Sequence, residues 1–161
     1  MVRVIGIDPG LRNTGWGVIE HKNGALNYIA SGVIETDAKQ DMADRLLFIH
    51  KGLNAVIKNF APQMSAIEET YVNSNYASSL KLSQARGAAI LSLSMEGLKP
   101  EEYPAKTIKK ALVGTGKADK EQVVSMIGYL MPGVRIESKD AADAVAIAIC
   151  HANFSALSSL G

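Results

Sequence analysis

Four carboxylates stand at places from which a folded chain could gather them. Asp8 ends one apolar run, Glu68 ends a second, and Asp140 and Asp143 head a third, three residues apart. That spacing puts the last pair on one face of a single helical turn. Brought together, such acids repel and raise one another's pKa values unless cations neutralise them. Oxygen-only ligation points to Mg²⁺ or Mn²⁺, hard cations that also bind phosphate oxygens, and two divalent ions match the formal charge of the set. Each acid alone also has a simpler reading. Asp8 opens an Asp-Pro-Gly turn and could bond nearby amides. Asp140 or Ser138 could cap the last helix, whose first turn favours acids. No histidine–cysteine spacing competes for zinc. His21, His50 and His151 lie apart and read as surface or helix-face residues, and the lone Cys150 sits in an apolar helical run as a buried thiol.

A basic segment accompanies the acids. Lys106, Lys109, Lys110, Lys117 and Lys120 face Asp119 alone between positions 106 and 120. Such a run is either a solvated face or, beside a carboxylate–metal site, a strip that contacts phosphates without reading bases. Tyr71, just past Glu68, and the polar stretch from Asn73 to Tyr76 could stack on bases of an opened strand. Tyr71 serves equally well as a core residue.

These side chains need elements to position them. Val2, Val4, Ile5 and Ile7 form a β-branched run that suits a central strand buried on both faces. Strands follow over 16–20 and 26–35, joined by a His-Lys-Asn-Gly hairpin. Helical periodicity takes over from 40 to 60, with Met42, Leu46, Ile49, Leu53, Val56 and Ile57 on one stripe before Pro62. A strand over 64–71 then lies parallel to the first, which brings Glu68 near Asp8 at the carboxyl ends of neighbouring strands. Alternation sends Glu69 to the other face. Helices over 76–96, 106–112, 120–130 and 140–157 and a strand over 101–105 complete the reading.

The totals describe an ordinary globular chain of 161 residues, 47% hydrophobic and 20% charged, expected to form one domain over 1–161. A net charge of +1 leaves the case for nucleic acid to the distribution of charge. One cysteine excludes an intrachain disulfide and fits a reducing compartment. Arg3 and Asp8 interrupt the opening apolar run, unlike a secretory leader, and no run reaches membrane-spanning length. A cytoplasmic location is the expectation.

Five segments, in order and over nearly the whole chain, resemble the RuvC Holliday junction resolvases, or crossover junction endodeoxyribonucleases. They are G-I-D-P-G-L-R-N-T-G-W-G, A-I-E-E-T-Y, L-K-L-S-Q-A-R-G, V-G-T-G-K-A-D-K and D-A-A-D-A-V-A-I-A. The resemblance implies an α/β, ribonuclease H-like fold with a five-stranded mixed sheet flanked by helices. It implies that Asp8, Glu68, Asp140 and Asp143 are the catalytic, metal-binding acids. Lys109 and Lys120 match functional lysines, and Tyr71 matches an aromatic near the junction centre, where Phe also occurs. Lys110 and Lys117 join the DNA-binding set from the basic strip. The implied enzyme is a homodimer that hydrolyses four-way DNA junctions symmetrically with Mg²⁺, leaving 5′-phosphate and 3′-hydroxyl ends, and works with the RuvAB branch-migration motor in recombination and repair. Spacing alone supports only metal-dependent phosphoryl transfer. A related nuclease acting on another branched or RNA-containing substrate and a non-catalytic junction-binding module are the rival readings. Actin-like ATPases share the opening motif but need two such domains. The small-sided face of the helix over 76–96, where Ala85, Ala88 and Ala89 flank Gly87, is the expected dimer interface unless it packs on the chain's own sheet.

Overall fold

The computed structural model describes residues 1–71 and 74–158. Strand β1 (Val2–Asp8) is buried from Val4 to Ile7, as a central strand must be. Pro9 and Gly10 turn the chain, and the Thr14 hydroxyl donates to the Gly10 carbonyl at 2.7 Å to hold the turn. Strands β2 (Asn13–Lys22) and β3 (Ala25–Glu35) complete an antiparallel meander. Asn23 and Gly24 at its tip both have positive φ, 50° and 79°, the conformation an Asn-Gly hairpin turn requires. Pairing carries β2 beyond the expected 16–20 at both ends.

Helix α1 (Met42–Phe60) starts where the Asp41 side chain accepts from the Asp44 amide, and it buries Ile49, Leu53 and Ile57. It leads to β4 (Met64–Glu68), parallel to β1, with Ile5 opposite Ser65 and Ile7 opposite Ile67. Helix α2 (Tyr76–Met95) is capped by Asn75 and leads to β5 (Glu101–Tyr103), parallel to β4. Helices α3 (Ala105–Val113), α4 (Lys120–Leu130) and α5 (Lys139–Ser158) follow. The sheet order is β3-β2-β1-β4-β5.

Two cores lie on opposite faces of this sheet. One packs α1 and α2 on Ile5, Ile7 and Val18; the other packs α3, α4 and α5 on Val4, Ile19 and Ala66. Helix α5 anchors the second. Its Val145, Ile147 and Ile149 are fully buried, each stabilising by about 1.5–3 kcal/mol relative to exposure. Ala85 and Ala89 of α2 are also fully buried, within the first core. They cannot form a dimer interface, and a side chain on Gly87 would meet nothing within 4 Å. The alanines of the face expected to join two copies therefore pack within the chain, whereas Gly87 faces outward. Among the described residues no helix is long and apolar enough to cross a membrane.

Candidate active site

Alternation along β1 decides where Asp8 points. Val4 and Gly6 meet the core and backbone of α5, so Asp8, two residues further, leaves the sheet on the α5 side. On β4, Ala66 faces the same core, which sends Glu68 to that side as well. Gly6, Gly15 and Gly17 let α5 lie with its backbone against β1 and β2; a Cβ on Gly17 would stand 2.5 Å from Val145 Cγ2. This seat brings the first turn of α5 over the carboxyl end of β1. The Ala141 amide there donates to Ser138 Oγ at 3.3 Å and the Ala142 amide to the Ser138 carbonyl at 3.0 Å. Ser138 is the cap, so Asp140 is not needed for that role.

Asp8, Asp140 and Asp143 each place a carboxylate oxygen within 4.8 Å of the others. Oxygens gathered this closely can converge on one hard cation, which holds its ligands at about 2.1 Å. Glu68 stands outside that set. It lines, with Asp143, Lys109 and Lys120, an adjoining cavity of about 160 Å³. The four acids thus divide into a tight group and a facing carboxylate, with Asp143 common to both.

The electrostatics carry the mark of acids lacking counter-charge. Burial, then the charges of Asp143, Glu68 and Asp140, pushes Asp8 up to about 7, with Lys120 pulling against them. Glu68 is raised by burial and by Asp143, opposed by Lys109 and Lys120. Asp143 is raised chiefly by burial and further by Asp140, while Lys120 and Lys109 lower it. The Lys120 ammonium lies 3.6 Å from Asp143 Oδ2, a solvated pair of small energetic weight. Partly buried, all-oxygen and mutually repelling, the set fits a divalent cation and suits no softer metal.

Of the other expected residues, Lys109 and Lys120 line the cavity, whereas Lys110 and Lys117 are exposed and do not. Tyr71 is 70% exposed, so it is not a core residue. Asn73 lies outside the described residues. The strand expected over 64–71 stops at Glu68, because β5 offers only three residues for pairing and the Glu69 amide makes a last bond to the Tyr103 carbonyl. His151 is buried rather than on the surface, its Nδ1 2.6 Å from the Tyr103 hydroxyl. Cys150 is a buried thiol, as expected. What the motifs did not reveal is the use of Gly6 and Gly17, whose partner helix is remote in sequence.

With this geometry in hand, the family model described as "Crossover junction endodeoxyribonuclease RuvC" matches residues 4–151. The chain belongs to the RuvC family. It is 51% identical over 152 residues to the crossover junction endodeoxyribonuclease RuvC of Paramagnetospirillum magneticum, covering 94% of this chain and 92% of that protein. Its structure matches T. thermophilus RuvC, solved in complex with a Holliday junction substrate, with a TM-score of 0.92 at 28% identity over 99% and 98% of the two chains. The yeast mitochondrial Holliday junction resolvase Ydc2 matches at TM-score 0.70 and 15% identity, over 96% and 81% of the chains, and shares the fold. The expected five-stranded, ribonuclease H-like architecture is the observed one. Family membership makes the chain a crossover junction endodeoxyribonuclease, an enzyme that resolves four-way junctions. Family membership and the acidic cluster together support a divalent-metal cofactor.

Proposed function

We propose that the chain is one RuvC-type nuclease domain whose catalytic residues are Asp8, Glu68, Asp140 and Asp143. The observation that carries this reading is the convergence of Asp8, Asp140 and Asp143 within 4.8 Å, beside a lysine-lined cavity. Asp8, Asp140 and Asp143 would hold one Mg²⁺, and Glu68 with Asp143 a second; Mn²⁺ would substitute. Such ions supply Lewis-acid chemistry toward phosphate oxygens and water. Around them the chain's own residues orient and screen. Lys109 and Lys120 meet the scissile phosphate at the cavity and offset its charge. Hydrolysis of the phosphodiester there would yield 5′-phosphate and 3′-hydroxyl ends.

The substrate is four-way junction DNA. Exposed Lys110 and Lys117 track phosphates away from the cavity, and exposed Tyr71 stacks on a base at the opened junction centre. Two equivalent strands call for two sites related by a two-fold axis, hence a homodimer. Its face is the exposed stripe of α2 formed by Tyr76, Leu80, Gly87, Leu91 and Met95. The RuvAB branch-migration complex is the family's motor and the proposed partner. The deciding experiment incubates the protein with a mobile four-way junction and with a linear duplex, with and without Mg²⁺, and maps the ends. Paired symmetric cuts in the junction alone, only with Mg²⁺, are expected. Equal cleavage of the duplex, or junction cleavage in EDTA, would overturn the reading.

A further inference from the structure

Gly15 sits opposite Asp8 across the β1–β2 pair, and it is buried. A Cβ built on it would run into the carbonyl oxygen and carbon of Asp140 and come within 3.1 Å of the Ala141 amide nitrogen. Those are backbone atoms of a helix start, capped by Ser138 and followed by the fully buried Ala144, Val145 and Ala148. They have no rotamer with which to yield. One glycine thus touches both halves of the carboxylate set, neighbouring Asp8 along the sheet and supporting the peptide of Asp140 from below. Gly6 and Gly17 continue the same seam beneath Ala144, Ala148 and Val145.

We infer that Gly15 is a positioning residue, fixing the separation of Asp8 from Asp140 by allowing α5 to rest directly on β2. The inference builds on the proposed role of Asp140 as a metal ligand. Any side chain at position 15 lifts the first turn of α5 by about 1 Å, a displacement that is large for an active site. Metal–ligand distances tolerate only about 0.2 Å. Bulk packing is the competing role for this glycine. A glycine needed only for packing, once substituted, lowers stability and leaves the folded fraction with ordinary metal affinity.

The test measures Mn²⁺ binding to the full chain from the EPR signal of free Mn²⁺, alongside thermal unfolding. Gly15→Ala is expected to bind Mn²⁺ about ten- to a hundred-fold more weakly per folded chain, the range seen when support of a metal ligand is lost. Gly52→Ala is the matched control. It crowds Ile34 on the opposite face of the sheet, so it should lower the melting temperature while keeping wild-type affinity. Wild-type affinity in folded Gly15→Ala overturns the inference. Should Gly15→Ala fail to fold, Asp140→Glu tests the same fixed spacing with the seat intact. It is expected to melt like wild type and lose about ten-fold or more in affinity, and wild-type affinity there overturns the inference too. Asp140→Asn separates the two layers. Unchanged Mn²⁺ binding in that variant removes Asp140 from the ligand set and overturns the proposed site along with the inference. Weak binding by Asp140→Asn with wild-type binding by Gly15→Ala overturns the positioning role alone.

Discussion

Asp8 is an acid that burial and three neighbouring carboxylates hold near a pKa of 7. In the folded, metal-free chain it therefore binds a proton more tightly than in the unfolded chain. Between about pH 4 and 7 the folded state carries the extra proton, so this residue's contribution to stability falls as pH rises and is fully lost above about 7. Glu68 and Asp143, also raised, act in the same direction. In EDTA, the difference in melting temperature between wild type and Asp8→Asn is expected to favour wild type more at pH 5 than at pH 8. A difference independent of pH would mean that Asp8 is not short of counter-charge. Added Mg²⁺ should stabilise wild type more at pH 8, where protons do not compete. Asp8→Asn, Glu68→Gln, Asp140→Asn and Asp143→Asn are each expected to slow cleavage about a hundred-fold or more, several kcal/mol of lost transition-state stabilisation. Junction binding in Ca²⁺ should survive. Glu69→Gln, just past the end of β4, should cleave normally, and a loss there would mean that the wrong carboxylate was assigned. Lys109→Ala and Lys120→Ala separate positioning from chemistry: a lost phosphate contact flattens the salt dependence of binding by about one unit. Unchanged binding with slower cleavage assigns the lysine to the reacting phosphate.

At the scale of elements, Ser138 holds the turn that carries Asp140, so Ser138→Ala is expected to cost about 1 kcal/mol in denaturant unfolding and to weaken cleavage beyond that loss of stability. An unchanged cleavage rate would mean that the turn holds without its cap. Periodicity revealed most elements because burial on one face or both imposes it: the β-branched run of β1 and the Ile49–Leu53–Ile57 stripe of α1 are legible without a partner. It could not place the end of β4, since 69–71 keep strand-like residues and pairing stops only where β5 does. Alternation and strand order brought Asp8 and Glu68 to one end and one face, the three-residue spacing paired Asp140 with Asp143 at the head of a helix, and the family motifs implied their role. Small residues were harder to read. Gly87 stands out inside a helix, yet nothing approaches it, whereas Gly6 and Gly17 look like ordinary strand glycines and, with Gly15 beside the Pro-Gly turn, carry α5. Only the approach of an element more than a hundred residues away distinguishes them. His151 is a similar case, its partner Tyr103 lying on another element.

At the scale of the whole molecule, the exposed apolar side chains are not scattered evenly. Tyr76, Leu80, Leu91 and Met95 are 79%, 62%, 59% and 63% exposed along α2. Spacings of four and seven residues place them, with Gly87 between, along one stripe of the helix. Leu47 and Phe48 of α1 are exposed as well, within a turn of His50, which meets Ser92 of α2 at 2.8 Å. A patch of this kind marks an interaction surface, and the proposed homodimer would use it for a second copy related by two-fold symmetry. Leu91→Arg is the clean test. The residue already faces solvent, so the substitution should leave unfolding within about 0.5 kcal/mol of wild type. It puts a charge, and across a two-fold axis its own duplicate, into the interface. The variant is expected to sediment as a monomer, to bind Mn²⁺ normally and to nick junctions once rather than cut them in pairs. Ala89→Arg would not serve, because its buried position confounds association with folding. If Leu91→Arg remains dimeric and makes paired cuts, the two-fold interface lies elsewhere. If wild type is monomeric both free and on the junction, the paired-site mechanism itself is wrong.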